Sequence, residues 1–178
     1  MIALSKRPQR IPTPRLTLRA LSEGDVPALA RILRSEPVAR TYMLPDLSAA
    51  GAAEALAERL VRLSRSDAHF LYGAYLGENV IGFLNDVETT EDAVELGYAV
   101  APEYWNRGYA TEMLTAAIAA LHGLGFAAVR AGCFEENAAS RRVMEKSGML
   151  PMDRTEEIAY HGCVHRCRYC EARKNLKK

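Results

Sequence analysis

The sequence predicts an α/β (α+β) fold: a mixed, mostly antiparallel central sheet of about seven strands, with about four helices on both faces. The 178 residues suffice for one domain with a hydrophobic core and are too few for two. Apolar residues follow strand and helix periods in the order β–α–α–β–β–β–α–β–α–β–β. Because most successive strands are adjacent and one β–α–β crossover follows them, we expect a mixed sheet.

Residue patterns in the first third of the chain predict one strand and two helices. Residues 1–14 contain three prolines and are expected to form an irregular lead-in. Polar and apolar residues alternate over 15–19, which predicts a short strand. Ser22 precedes two acidic residues, a favourable start for a helix that runs to about residue 34. Prolines interrupt the pattern after it, and an alanine-rich helix is predicted over 48–64, with an apolar face formed by Leu56, Leu60 and Leu63.

The rest of the chain alternates strand and helix patterns separated by turn residues. The predicted elements are strands at 69–76, 79–87 and 94–100, a helix at 108–125, a strand at 127–134, a helix at 137–147, and strands near 150–156 and 164–172. Gly77-Glu78 and His161-Gly162 are compatible with tight turns, and Gly148 suits the position after a helix end. A basic tail, residues 173–178, completes the single domain predicted for residues 1–178.

Composition and charge narrow the possible partners. Basic and acidic side chains number 23 and 22, which gives a net charge of +1. This balance argues against direct binding to nucleic acid or to a membrane surface through a strong overall field. We find no secretory signal and no apolar run near the roughly 20 residues of a membrane helix. Four cysteines do not indicate a secreted disulfide framework, so we expect a protein of the reducing cytoplasm.

The turn between the strand at 94–100 and the following helix is suited to an anion. Gly108 allows the backbone to approach a ligand closely, and Ala110 is small for the same reason. The first N–H groups of the helix lack partners, and the helix dipole favours a phosphate there. Arg107 adds a charge that either pairs with a pyrophosphate or faces solvent. A plain strand–turn–helix connection explains the same residues, because short glycine motifs are weak evidence.

Two further polar positions are candidates for chemistry. Glu95 opens a strand in which Gly97 indicates a bulge or a close backbone approach, and its carboxylate is able to accept a proton from an amine. Alternatively, Glu95 is an edge charge or part of a surface ion pair. Asn137 is a favourable N-cap with Ser140 one turn further on, so capping alone accounts for both residues.

Residues 95–149 resemble the cofactor-binding half of the GNAT superfamily of acetyl-CoA-dependent N-acetyltransferases, most closely the RimJ/RimL branch. Gly108 and Ala110 match the last two fixed places of Gln/Arg-x-x-Gly-x-Gly/Ala, whereas Trp105 departs from the first. Residues 104–110 match the branch pattern Tyr-Trp-Gly-Arg-Gly-Tyr-Ala except at Asn106. The resemblance extends to an Asn-x-x-Ser-x-x-Val-x-Glu-Lys-x-Gly segment from residue 137 and to the opening Arg-Leu-x-Leu-Arg strand.

This resemblance implies a mechanism and a set of site residues. An amine would attack acetyl-CoA directly in a ternary complex, without a metal. Glu95 would be the general base, and Ser140 would protonate the leaving thiolate, although water or a tyrosine is an alternative to Ser140. A main-chain N–H of the splayed strand would polarise the thioester carbonyl. The implied cofactor contacts are Tyr98, Ala99, Val100, Trp105, Asn106, Arg107, Gly108, Tyr109, Ala110, Thr111, Asn137 and Ser140, with Arg141 and Arg142 as further candidates for the 3′-phosphate.

The acceptor and the assembly state are left open. A ribosomal-protein N-terminus and a small-molecule amine are both compatible with the branch, as are a monomer and a homodimer. The acceptor pocket is expected among the first two helices, their loop and the terminal hairpin, with the candidates Tyr42, Met43, Leu44, His69, Phe70, Phe83 and Asn85. For the apolar candidates, a place in the core is the more common alternative. The alternative function is a non-catalytic module of the same fold that binds CoA or another ligand.

The C-terminal cysteines form a motif that also occurs in another class of enzyme. Cys163, Cys167 and Cys170 have the C-x3-C-x2-C spacing of radical S-adenosylmethionine enzymes, and His161 and His165 are possible zinc ligands. Thiolates do hold such clusters, but the motif lies at the C-terminus without a barrel-sized domain after it. The local pattern predicts a strand, in which odd separations place side chains on opposite faces. We therefore predict no metal.

Overall fold

The computed structural model describes residues 2–174, and within them eight strands form one sheet. The strands are β1 (Arg10–Pro12), β2 (Thr17–Arg19), β3 (Tyr72–Leu76), β4 (Asn79–Thr89), β5 (Ala93–Val100), β6 (Ala128–Phe134), β7 (Leu150–Tyr160) and β8 (Cys163–Arg173). Their spatial order is β1-β2-β3-β4-β5-β6-β8-β7. All neighbours are antiparallel except β5 and β6, which confirms the mixed, mostly antiparallel sheet.

Helices cover both faces of this sheet, as predicted. The α-helices in residues 2–174 are α1 (Val26–Arg34), α2 (Glu36–Ala39), α3 (Ala52–Ser64), α4 (Tyr109–Leu124) and α5 (Ala138–Lys146). One face packs on α4 through an apolar stripe formed by Met113, Leu114, Ala117, Ile118 and Leu121. The other face packs on α1 and α3. Side chains of a strand alternate between these two cores, so Leu96 and Ala99 of β5 belong to different cores.

Three local predictions differ from the structure. The lead-in contains β1, because Ile11 pairs with Leu18 and extends the sheet by one strand beyond the predicted seven. The segment after α1 contains the short helix α2, in which Pro37 occupies the first turn, where its missing N–H costs nothing. The next helix begins at Ala52 rather than at residue 48, because Gly51, with φ 78°, adopts a left-handed conformation that cannot continue a right-handed helix.

The buried face of α3 is also rotated relative to the predicted leucine face. Its buried residues are Ala53, Ala57, Leu60, Val61 and Ser64, whereas Leu56 and Leu63 are only partly buried. Small alanines allow α3 to pack closely against α1. The helical pattern alone does not show which neighbour supplies the apolar surface.

The terminal hairpin, formed by β7 and β8, is longer than predicted, and a tight turn connects its two strands. His161 and Gly162 both have positive φ, of 49° and 75°, as expected for a two-residue turn that matches strand twist. The Tyr160 hydroxyl donates to the carbonyl of Ala39 at 2.6 Å, which attaches the hairpin to the last residue of α2. Most of the predicted basic tail, residues 175–178, lies outside the described residues. No helix within residues 2–174 is long and apolar enough to cross a membrane.

Candidate active site

The sheet opens between β5 and β6, its parallel pair. The two strands are paired only at Ala93–Ala128, Val94–Val129 and Glu95–Arg130. Beyond these pairs, β5 continues along β4 to Val100, while β6 continues along β8 to Phe134. The strands therefore diverge from Glu95 onwards, and the opening contains a cavity of about 680 Å³.

Glu95 lies at the apex of this opening and lines the cavity. Its side chain is 14% exposed, and burial raises its pKa above the ordinary range. Arg154 opposes this rise through an ion pair of 3.4 Å, but its guanidinium is held more closely by Glu156, at 2.6 and 2.9 Å. The charges of Glu88 and Glu156 raise the pKa of Glu95 further. Glu95 is thus a carboxylate with increased proton affinity beside a cavity.

A pair of hydroxyl groups faces the cavity from the opposite side of β5. The Tyr98 hydroxyl lies 2.7 Å from Ser140 Oγ and 3.3 Å from the Ser140 carbonyl. Asn137 caps α5, because its Oδ1 accepts the Ser140 N–H at 3.0 Å. Burial raises the pKa of Tyr98, so its phenol stays protonated. Alternation along β5 places the Tyr98 side chain on the face opposite Glu95, but its contact with α5 joins residues 42 positions apart and was not predicted.

The glycine turn leaves unpaired N–H groups at the cavity. The first intrahelical bond of α4 joins the N–H of Glu112 to the carbonyl of Gly108 at 3.0 Å. The N–H groups of residues 108–111, all cavity-lining, therefore precede the helical ladder. Gly108 has φ +81°, a left-handed conformation that favours glycine. The Trp105 indole donates to the Val100 carbonyl at 2.6 Å, so the residue that departs from the family signature attaches the turn to β5.

Asn106, the other departure, takes the place of a glycine in a left-handed position. Its φ is +58°, and asparagine tolerates this region better than other residues with a side chain. We expect Asn106→Ala to lower the free energy of unfolding by about 1 kcal/mol and Asn106→Gly to keep it. Denaturant unfolding measures both values, with Glu103→Ala in the adjacent exposed turn as control. An alanine variant as stable as the parent would exclude left-handed strain at this position.

Most, but not all, predicted cofactor contacts meet in this cavity. Arg107 is exposed and is not among the lining residues; its guanidinium lies 5.9 Å from the Tyr104 ring centroid. Of the two candidates for the 3′-phosphate, Arg142 lines the cavity and Arg141 does not. Lys146 also lines the cavity and is a second cation beside Arg142. It was not predicted, because a lysine on a helix face ordinarily faces solvent.

The predicted acceptor residues divide into two groups. Tyr42, Met43 and Asn85 line the cavity, and the Tyr42 hydroxyl donates to Asn85 Oδ1 at 2.5 Å. Leu44 and His69 do not line it. The assignment of Phe70 and Phe83 to the pocket was wrong: their side chains are buried in the two cores. Val87 also lines the cavity and was not predicted. It lies at a β-bulge where β4 pairs with β5.

The cysteine motif is divided between the two faces of β8. Cys167 faces the cavity, whereas Cys170 belongs to the core beneath α4. All four cysteines are free, and no group of three potential ligands gathers in the part of the chain that the structure describes. That the protein uses no metal remains a prediction.

A sheet that opens at a parallel strand pair, next to unpaired helix N–H groups, is the arrangement that the resemblance implied for acyl-CoA-dependent transferases. The chain belongs to the GNAT acetyltransferase family, because its residues 15–150 match the acetyltransferase (GNAT) domain. It is therefore an acyltransferase with acetyl-CoA as the acetyl donor.

Known relatives agree with this membership. The chain is 25% identical over 142 residues to YoaA of Bacillus subtilis (strain 168), an uncharacterized N-acetyltransferase, covering 76% of this chain and 80% of YoaA. Among solved structures, the ribosomal-protein acetyltransferase RimL with coenzyme A has a TM-score of 0.81 at 18% identity, over 94% and 99% of the chains. A GNAT-family acetyltransferase from Bacillus anthracis has a TM-score of 0.78 at 22% identity, over 92% and 98%. The predicted RimJ/RimL-like fold is confirmed.

Proposed function

We propose that the protein transfers the acetyl group of acetyl-CoA to a primary amine by direct attack in a ternary complex. The observation that carries this proposal is the position of Glu95 at the apex of the opening, with the Tyr98–Ser140 pair across β5. Both ends of the reaction then have a proton acceptor or donor within one cavity. Bringing the amine and the thioester together in this cavity would supply much of the rate.

The acetyl donor is proposed to lie along the unpaired side of β5. Main-chain groups of Tyr98 to Val100 would contact the pantetheine arm, and one N–H would polarise the thioester carbonyl. The pyrophosphate would bind the N–H groups that begin α4, where the helix dipole favours an anion. The cavity-lining residues 105, 106 and 108–111 and Asn137 complete the proposed cofactor site, and Arg142 and Lys146 are cations available to phosphates. A contact from the exposed Arg107 remains a prediction.

The proton steps are assigned to the two polar centres. An acceptor amine is mostly protonated at neutral pH, and it attacks only as the free base. Glu95 would accept this proton, directly or through a water molecule, because its raised pKa increases its basicity. At the other end, Ser140, with its Oγ hydrogen-bonded to the Tyr98 hydroxyl, would protonate the departing CoA thiolate. Solvent would then return a proton to Ser140 and take from Glu95 the proton of the amine.

Ser140→Ala is expected to lower kcat by about 100-fold and to change acetyl-CoA affinity little, because the hydroxyl acts on charge that forms in the transition state. Tyr98→Phe should have a smaller effect in the same direction. Stopped-flow or steady-state thiol release measures kcat, and calorimetry measures affinity. Ser147→Ala, at the far end of α5 and outside the cavity lining, is the control. Full turnover in the Ser140 variant would transfer this role to another group.

The acceptor is proposed to be a protein N-terminus or a small-molecule amine. It would enter the part of the cavity lined by Tyr42, Met43, Asn85 and Val87. Glu95 lines the same cavity. The name of RimL, a ribosomal-protein acetyltransferase acting at the alpha-amino position, supports the first choice. The mixed polar and apolar lining is equally compatible with the second.

Calorimetry with acetyl-CoA and CoA, beside a thiol-release assay over amines and peptides, tests the proposal. Binding together with acceptor-dependent thiol release would support the transferase and identify the acceptor class. Binding without release from any acceptor would favour the non-catalytic module instead. Absence of binding would overturn the assignment of the glycine turn as a phosphate site.

A further inference from the structure

We propose that Arg15 is a positioning residue for the pyrophosphate turn, residues 105–111, a role that rests on the cofactor site proposed above. Arg15 lies before β2, at least ninety positions from the turn, yet it contacts the turn at two points and Glu112, the residue after the turn, at a third. Its Nε donates to Glu112 Oε2 at 2.7 Å, and its Nη1 donates to the Arg107 carbonyl at 2.9 Å. The guanidinium also lies 4.4 Å from the ring centroid of Tyr109.

The bond to the Arg107 carbonyl orients the N–H of Gly108. The carbonyl of one residue and the N–H of the next point in opposite directions across a trans peptide. When Arg15 holds the Arg107 carbonyl towards itself, the Gly108 N–H must point away from Arg15. Gly108 lines the cavity and Arg15 does not, so this N–H is held towards the side where the anion would bind.

The bond to Glu112 compensates a negative charge in the first turn of α4. This carboxylate is 11% exposed and lies close to the proposed anion site. Burial alone would raise its pKa, but hydrogen bonds from Thr13 and Arg15 outweigh burial and hold the pKa below the ordinary value, so Glu112 stays ionised. Its Oε1 accepts from Thr13 Oγ1 at 2.6 Å and from the Arg15 N–H at 2.7 Å. Without the guanidinium, this charge would oppose a pyrophosphate.

Arg15 is therefore distinct from a residue that binds the phosphate itself. Its side chain is 46% exposed and lies on the outer side of the turn. One planar guanidinium holds a carboxylate and a carbonyl at the same time, which the single ammonium of lysine does not reproduce in this geometry. The opening Arg-Leu-x-Leu-Arg strand thereby gains a role in the cofactor site as well as in the sheet.

The test is calorimetric binding of CoA, 3′-dephospho-CoA and pantetheine to Arg15→Lys. Affinity for CoA and for dephospho-CoA should fall about tenfold, the equivalent of one charged hydrogen bond, because both carry the pyrophosphate. Affinity for pantetheine, which has no phosphate, should not change. In the acetylation assay, KM for acetyl-CoA should rise while kcat at saturation stays the same.

Arg19→Lys is the matched control. Arg19 also lies over a tyrosine, with its guanidinium 3.6 Å from the Tyr75 ring centroid, and pairs with a glutamate, Glu78. None of these three residues lines the cavity, so CoA affinity should be unchanged. If Arg15→Lys fails to fold, Arg15→Gln also removes the guanidinium from both the Glu112 carboxylate and the Arg107 carbonyl, and it should show the same ligand pattern.

The outcomes separate this inference from the function on which it rests. Unchanged CoA affinity in folded Arg15→Lys or Arg15→Gln would overturn the positioning role alone. An equal loss for pantetheine would do so too, because it would indicate general damage to the cavity. Failure of the unmodified protein to bind CoA would instead refute the proposed cofactor site.

Discussion

Glu95→Gln is expected to reduce turnover by about 10²- to 10⁴-fold on any acceptor that the unmodified protein acetylates, while acetyl-CoA affinity stays within about twofold. Glutamine has nearly the same size and keeps a hydrogen-bond acceptor towards Arg154, so the apex of the cavity should keep its shape. It cannot accept the proton of the amine. Thiol release under single-turnover conditions measures the chemical step, and calorimetry measures affinity.

The pH dependence provides an independent reading of the same residue. A general base acts when deprotonated, so kcat/KM should fall as the pH drops through the pKa of Glu95. Burial raises that pKa, and this acidic limb should therefore lie above the usual range of a glutamate. The limb should be absent in the glutamine variant. Glu88→Gln, a neighbour that raises the pKa without lining the cavity, should keep turnover and move the limb to lower pH. Unchanged turnover in Glu95→Gln would refute the role.

Gly108→Ala is expected to lower CoA affinity by at least about tenfold, since a left-handed conformation costs an alanine about 1–2 kcal/mol. The turn would relieve this strain by moving, and its N–H groups would leave the positions suited to the pyrophosphate. The new Cβ would also lie 3.3 Å from Arg15 Nη2, a contact tight enough to displace the guanidinium. Calorimetry with CoA, beside denaturant unfolding, separates binding from stability.

Gly51 offers a closely matched control for this substitution. It is also the N-cap of a helix, with φ 78° and ψ −2° against 81° and 2° at Gly108, and a Cβ there would meet nothing within 4 Å. Gly51→Ala should therefore lose similar stability and keep its CoA affinity. If the two variants bind CoA equally well, the Gly108 turn is only a connection between strand and helix.

Local pattern predicted much of the fold and the central part of the candidate site. The long helix after the glycine turn, the Asn137 cap and the alternation along β5 depend on residues within a few positions of one another. Backbone sterics and hydrogen bonding of that range are properties of the segment itself, so the sequence indicates them directly. The left-handed positions at Gly108 and at the His161-Gly162 turn belong to the same class.

The remaining features depend on contacts between distant segments. Arg15 meets Glu112 across 97 positions, and Arg154 meets Glu95 across 59. Phe83 is an aromatic residue of the kind that often lines a pocket, but α1 and α3 pack against it and bury it in the core.

The sequence by itself determined the order of the main elements and the glycine turn, because these depend on short-range backbone preferences, and the resemblance to a known family supplied the residues for the proposed chemistry. Only the tertiary structure decided where β5 leaves β6, which charges surround Glu95 and which side chains reach the cavity. These depend on which surfaces pack together, and packing is a property of the whole chain.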